Sequence, residues 1–162
     1  MRISLEKIRQ GVTLSKQKCI EHLSSAELLA SNGLANNAVV NLEFAIEEFG
    51  RAIALNENLK NSETNVDDNL QKDHLCKYNK AWTVLPVELK TIYEGTFDPV
   101  VFDPAIFDTG KETVSPKTRL DATFVNYNQE TEEWETGVRA NPNKIFEISK
   151  QIKASIGAVT WY

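Results

Sequence analysis

Two short runs hold the residue types from which a polar site could be built: Ala45-Ile-Glu-Glu-Phe-Gly-Arg-Ala52 and His74-Leu-Cys-Lys77. They supply carboxylates, a guanidinium, an ammonium and an imidazole, and the imidazole is the side chain whose ordinary pKa suits proton transfer near neutrality. At about 100° per residue, Ala38, Leu42, Ala45, Phe49 and Ala52 fall on one apolar stripe of a helix. Glu48 lies on the edge of that stripe and is the acid expected to face inward, while Glu43, Glu47 and Arg51 are expected to point away. Glu47 and Arg51, four residues apart, then read as a solvated ion pair worth about 0.3–0.5 kcal/mol. In the second run Leu70, His74, Lys77, Tyr78 and Ala81 share a face, which puts His74 and Lys77 at core positions. A buried lysine or carboxylate is costly unless paired. Glu48 is therefore expected to orient His74 or to hold Lys77 charged, and the same groups would serve equally as a structural network joining two helices.

Helices must position these groups. Apolar residues recur at helical spacing from about Leu5 to Ser31 (Ile8, Val12, Cys19, Leu23, Ala26, Leu29), with Gly11 as an interruption near the start and Asn32-Gly33 as the stop. A second helix is expected from about Leu34 to Leu59, its alanines allowing close approach, so that the two form an antiparallel hairpin. Asn61 to Asn69 reads as a polar loop, and Asp67 or Asp68 caps a third helix running roughly to Val84. Pro86 opens a further short helix over Val87 to Tyr93. Between Gly95 and Pro116 the pattern breaks around Asp98-Pro99 and Asp103-Pro104 into a long loop, a feature that tends to be functional or mobile. Thr123-Phe-Val-Asn-Tyr127 and Trp134 flank an acidic turn and fit a β-hairpin. A last helix begins at Pro142 after an Asn141 cap and presents Ile145, Phe146, Ile148, Ile152 and Ile156 to the bundle. The expected fold class is thus mainly α: a single domain over 1–162, with four or five helices over 5–93 and 142–158 and a loop with hairpin over 95–137.

Length and composition fit that outline. A chain of 162 residues buries a core without a metal or disulfide. Its 18 basic and 23 acidic residues, a net charge of −5, argue against broad phosphate-driven binding of nucleic acid, though not against a local basic cleft. The two cysteines form no C-x-x-C pair, the first residues Met1-Arg-Ile-Ser-Leu-Glu lack a signal-peptide core, and no run approaches about 20 apolar residues. A cytoplasmic, reduced protein with no membrane association is expected. Cys19 and Cys76 read as small buried hydrophobes and His22 as a residue at the core edge. There is no P-loop, G-x-G-x-x-G turn or G-x-S-x-G elbow. A carboxylate-bridged metal site would draw on Glu43, Glu47, Glu48 and His74, but the Glu-x-x-His pairs of di-metal bundles are missing.

The succession Ala26-Glu-Leu-Leu, Ala38 to Leu42, Ala45 to Ala52 and His74 to Lys77 resembles the AbiV-type abortive-infection proteins of phage defence. The resemblance extends through Arg119-Leu-Asp-Ala-Thr-Phe-Val-Asn-Tyr127 and Trp134, from about Ile8 to Ile156. Arg51 stands where that family usually has lysine, which keeps the charge but changes the hydrogen-bond geometry. The family is grouped with HEPN helical proteins, so the resemblance implies a HEPN-like bundle and a homodimer. HEPN RNases carry an arginine followed, after four to six intervening residues, by the histidine, whereas Val66 to Asp73 contains no arginine.

Two functions follow as expectations. The first is a non-catalytic interaction module that binds a phage or host protein and arrests growth or translation, with Phe97 to Trp134 as contact surface and Glu47, Arg119, Tyr127 and Trp134 as binding candidates. The alternative is a metal-independent RNase without cofactor, acting on RNA through His74 as acid or base, Lys77 or Arg51 as phosphorane-stabilising cation, and Glu48 as support.

Overall fold

In the computed structural model the described residues are 1–86, 88–89, 125–128, 132–136 and 140–162. Helix α1 spans Leu5–Ser31 and α2 spans Ala35–Lys60, close to the limits expected from periodicity. Ser4 caps α1 by accepting from the Lys7 amide. The stop is a Schellman turn: the Leu34 amide donates to the Leu29 carbonyl at 2.9 Å and the Gly33 amide to Ala30 at 3.1 Å, with Gly33 at φ 77°. Gly11 does not interrupt α1. It lies against Leu55, near the far end of α2, as an antiparallel hairpin requires.

The expected third helix is two. Helix α3 is a single turn, Asn69–Lys72, and α4 runs His74–Trp82. Asp73 separates them with extended backbone (φ −102°, ψ 112°) and caps α4 by accepting from the Leu75 amide. A side chain that satisfies an orphan helix donor competes with helix continuation, so the Asp73 cap ends one periodic run and begins another. Asp67 accepts from the Asn69 amide, while Asp68 flanks α3 without a side-chain cap bond. Helix α5, Pro142–Ala158, starts as expected, with Asn141 accepting from Asn143 and Pro142 in the first turn. Its isoleucines 145, 148, 152 and 156 are buried, but Phe146 is on the exposed side. A two-stranded antiparallel hairpin pairs β1 (Val125–Asn128) with β2 (Glu133–Thr136), Tyr127 opposite Trp134. Most of the helix expected over 87–93, the long loop over 95–116 and Arg119 lie outside the described residues.

The core has two parts. The larger joins α1, α2, α4 and α5 around Leu23, Leu42, Phe49, Tyr78 and Ile152. The smaller gathers Ile8, Val12, Leu55, Leu59, Val66 and Leu70, and Trp161 packs against both. Buried Asn56 fastens the last residues, donating to the Thr160 carbonyl and accepting from the Tyr162 amide at 2.9 Å each. No helix among the described residues is long and apolar enough to cross a membrane.

Helix α5 is also tied to α1 by polar contacts. Ser149 Oγ donates to Glu27 Oε1 at 2.5 Å and Lys153 Nζ lies 2.6 Å from the same oxygen. Burial of the Glu27 carboxyl works to raise its pKa, but the hydrogen bonds from Lys153 and Ser149 and the Lys153 charge outweigh it and hold the group below its ordinary 4.5. A carboxylate whose folded pKa is depressed adds stability above the unfolded pKa, and loses it as pH falls through the folded value. Glu27→Gln is therefore expected to flatten the acid limb of the Tm against pH curve below about pH 4.5, which a thermal melt series checks.

Candidate functional site

The polar residues of α2 and α4 meet, though through a different acid from the one expected. Glu47 Oε2 accepts from His74 Nδ1 at 2.7 Å and pairs with Lys77 Nζ at 3.1 Å. The Glu47 and Lys77 side chains are 6% and 3% exposed, whereas His74 is 44% exposed. Glu48 is turned to Arg51, whose Nη1 contacts both of its oxygens at 2.8 and 2.9 Å. The expected Glu47–Arg51 surface pair is thus replaced by Glu48–Arg51, and the inward acids are Glu43 and Glu47.

The reason is that α2 is covered on two sides. Its Ala38, Leu42, Ala45, Phe49 and Ala52 stripe is buried as expected, but Glu43, Glu47, Gly50 and Ala54 are buried too. On a helical wheel this second face lies roughly 150° from the first. Helix α4 crosses there at Gly50, where an added Cβ would come within 1.8 Å of the Lys77 carbonyl oxygen and 2.9 Å of the Ala81 nitrogen. With backbone so close to backbone, the carboxyl one turn before Gly50 must meet the first turn of α4. The Asp73 break makes His74 the first residue of that helix, and Lys77, three residues on, falls on the same face. The spacing of Glu43, Glu47, Gly50 and Ala54, a second stripe ending in small residues, is the signal that identifies Glu47.

The Nδ1 contact with Glu47 fixes the orientation of the His74 ring, which is otherwise partly open to solvent. Lys77 is consumed in neutralising Glu47. Arg51 lines a different cavity, beside Lys7, Leu14 and Val66. His74 and Lys77 therefore come together while Glu48 and Arg51 form a separate pair. Of the binding candidates, Tyr127 and Trp134 are opposed in the hairpin, Glu47 is buried, and Arg119 lies outside the described residues.

The remaining titratable groups fit quieter roles. Burial, with a contribution from Glu48, pushes the Cys19 thiol up to about 12, which keeps it a protonated core residue. Cys76 is only partly buried, and its thiol is likewise raised, first by burial and then by Asp67 and Asp73. His22 sits at the core edge, 3.4 Å from Asn41 Oδ1 and against the Phe44 ring. Among the described residues no group of three His, Cys, Asp or Glu side chains could hold a metal ion.

The family model HEPN_AbiV, described as AbiV, matches residues 7–151, a stretch that takes in nearly all of the helical hairpin, the His-x-x-Lys turn docked on its second face and the first part of the closing helix. The chain belongs to the AbiV family. AbiV-type membership brings a HEPN helical fold and an abortive-infection role in phage defence. No curated protein and no solved structure matches the chain.

Proposed function

We propose that this AbiV-type chain acts in phage defence as a non-catalytic helical interaction module, which binds a phage or host protein and arrests growth or translation. The observation that carries this reading is the division of the polar residues. Phosphoryl transfer at RNA needs a proton-transfer group and an available cation around the same phosphate. Lys77 is buried against Glu47, and Arg51 is paired with Glu48 beside another cavity, so His74 has neither cation at its disposal. The Glu47–Lys77–His74 cluster then works as the joint between α2 and α4. Homodimerisation, implied by the HEPN resemblance, belongs to the same proposal, and a mass measurement in solution tests it.

The test pairs a phage challenge of cells expressing wild type or His74→Ala with incubation of both purified proteins with total RNA and transfer RNA in a chelator. Intact RNA throughout, with protection retained by His74→Ala, is the expected result. The metal-independent RNase is the alternative, favoured by the oriented imidazole alone. RNA cleavage by wild type that His74→Ala loses, together with lost protection, would establish it instead.

A further inference from the structure

We propose that the Asn32-Gly33 turn between α1 and α2 is a site of slow spontaneous deamidation, and that the hydrogen bonds of the turn gate the reaction. This is the only Asn-Gly step in the sequence, and it stands in an exposed turn. In the reaction the Gly33 amide nitrogen attacks the side-chain carbonyl carbon of Asn32 and gives up its proton, the bond from that carbon to Nδ2 breaks, and the nitrogen leaves as ammonia. Water then opens the cyclic imide at either of its carbonyls, which gives an aspartyl or an isoaspartyl form at position 32. Glycine has no Cβ to crowd the attacking nitrogen, and it is present because the turn takes a φ of 77° there. The requirement that stops α1 therefore also sets the reactive step at the bend of the hairpin.

The closed turn opposes the attack at both reacting groups. The Gly33 N–H donates to the Ala30 carbonyl at 3.1 Å, and Asn32 Nδ2 donates to the Leu28 carbonyl at 2.8 Å, which holds the side chain back along α1. The Leu34 amide, bonded to the Leu29 carbonyl at 2.9 Å, completes the latch. Helix ends open locally at far less cost than the whole domain, and one opening of this turn frees nucleophile and leaving group together. Conversion then prevents the same latch from closing again. The Leu28 carbonyl loses its side-chain donor to a carboxylate at the negative end of the α1 dipole, and the isoaspartyl form lengthens the main chain inside the turn. The site is thus an irreversible covalent switch that loosens the α1–α2 hairpin.

The test follows position 32 by peptide mapping and mass spectrometry while the full chain is held at mildly alkaline pH, in buffer and in concentrated urea. Conversion is expected in both, slower in the native chain by at least about tenfold, the protection that the hydrogen bonds of a closed turn supply. Leu34→Pro removes one latch donor and keeps the Asn-Gly step. Leu34 is half-exposed and caps α2, where proline suits the start of a helix. The variant should lose most of that protection, measured against its own rate in urea. A second readout does not depend on its folding: in Asn32→Asp, amide hydrogen exchange at Gly33 and Leu34 should run at least about threefold faster than in wild type. No conversion in the native chain, equal rates in buffer and urea, full protection in a folded Leu34→Pro protein, or unchanged exchange in Asn32→Asp would each overturn the proposal.

Discussion

Glu47→Ala should destabilise the protein by about 3–5 kcal/mol, the cost of leaving one member of a buried ion pair without its partner. Lys77 is the member left behind: its side chain is 3% exposed, and Glu47 Oε2 is its ion-pair partner at 3.1 Å. In a domain of this size each kcal/mol moves Tm by about 2–4 °C, so a fall of roughly 6–20 °C is expected in a thermal melt. His74, being partly exposed, can turn to water and adds little to the loss. The double variant Glu47→Leu with Lys77→Met should recover most of the stability, because replacing a buried pair by apolar groups of similar volume is often neutral or better. If the single and double variants melt together, the loss comes from packing at this joint rather than from an uncompensated charge.

Gly50→Ala should be comparably damaging, by about 3 kcal/mol or more, although alanine is the better helix former by about 1 kcal/mol. The added methyl would stand 1.8 Å from the Lys77 carbonyl oxygen and 2.8 Å from its carbon, atoms that belong to backbone and cannot rotate aside. α4 would have to move away from α2, taking Lys77 and His74 from Glu47. Gly157→Ala is the internal control. A Cβ there meets nothing within 4 Å, so the substitution should stabilise α5 by about 0.5–1 kcal/mol. Urea titration of the two variants checks both signs. A Gly50→Ala protein as stable as wild type would mean that the two helices do not approach this closely in solution.

Both effects arise where α4 crosses α2, and that crossing marks the limit of what the residues say on their own. Periodicity and end signals act within a few residues, so the α1–α2 hairpin, the Asn32-Gly33 stop and the Asn141-Pro142 start are legible directly. So is the principal apolar stripe of α2, and the meeting of His74 and Lys77 with an acid of the Ala45–Ala52 run. The identity of that acid is not. With one packing partner assumed for α2, Glu48 is the acid nearest the buried stripe; with two partners, Glu47 is the one enclosed. The break at Asp73 has a similar origin, since a capping side chain and a continuing helix have comparable local energies and the docking of α4 decides between them.

The sequence by itself determined the helical class, the hairpin that frames the domain, the family and the set of polar residues, because each is written in local spacing or a contiguous motif. Only the tertiary structure decided how that set divides: Glu47 with His74 and Lys77 in the joint, Glu48 with Arg51 beside a separate cavity. The physical reason is that an amphipathic pattern reports how much of a helix is buried but not how many neighbours bury it. On α2 the second neighbour is admitted by one glycine, and its approach turns an expected surface glutamate into the buried partner of a lysine.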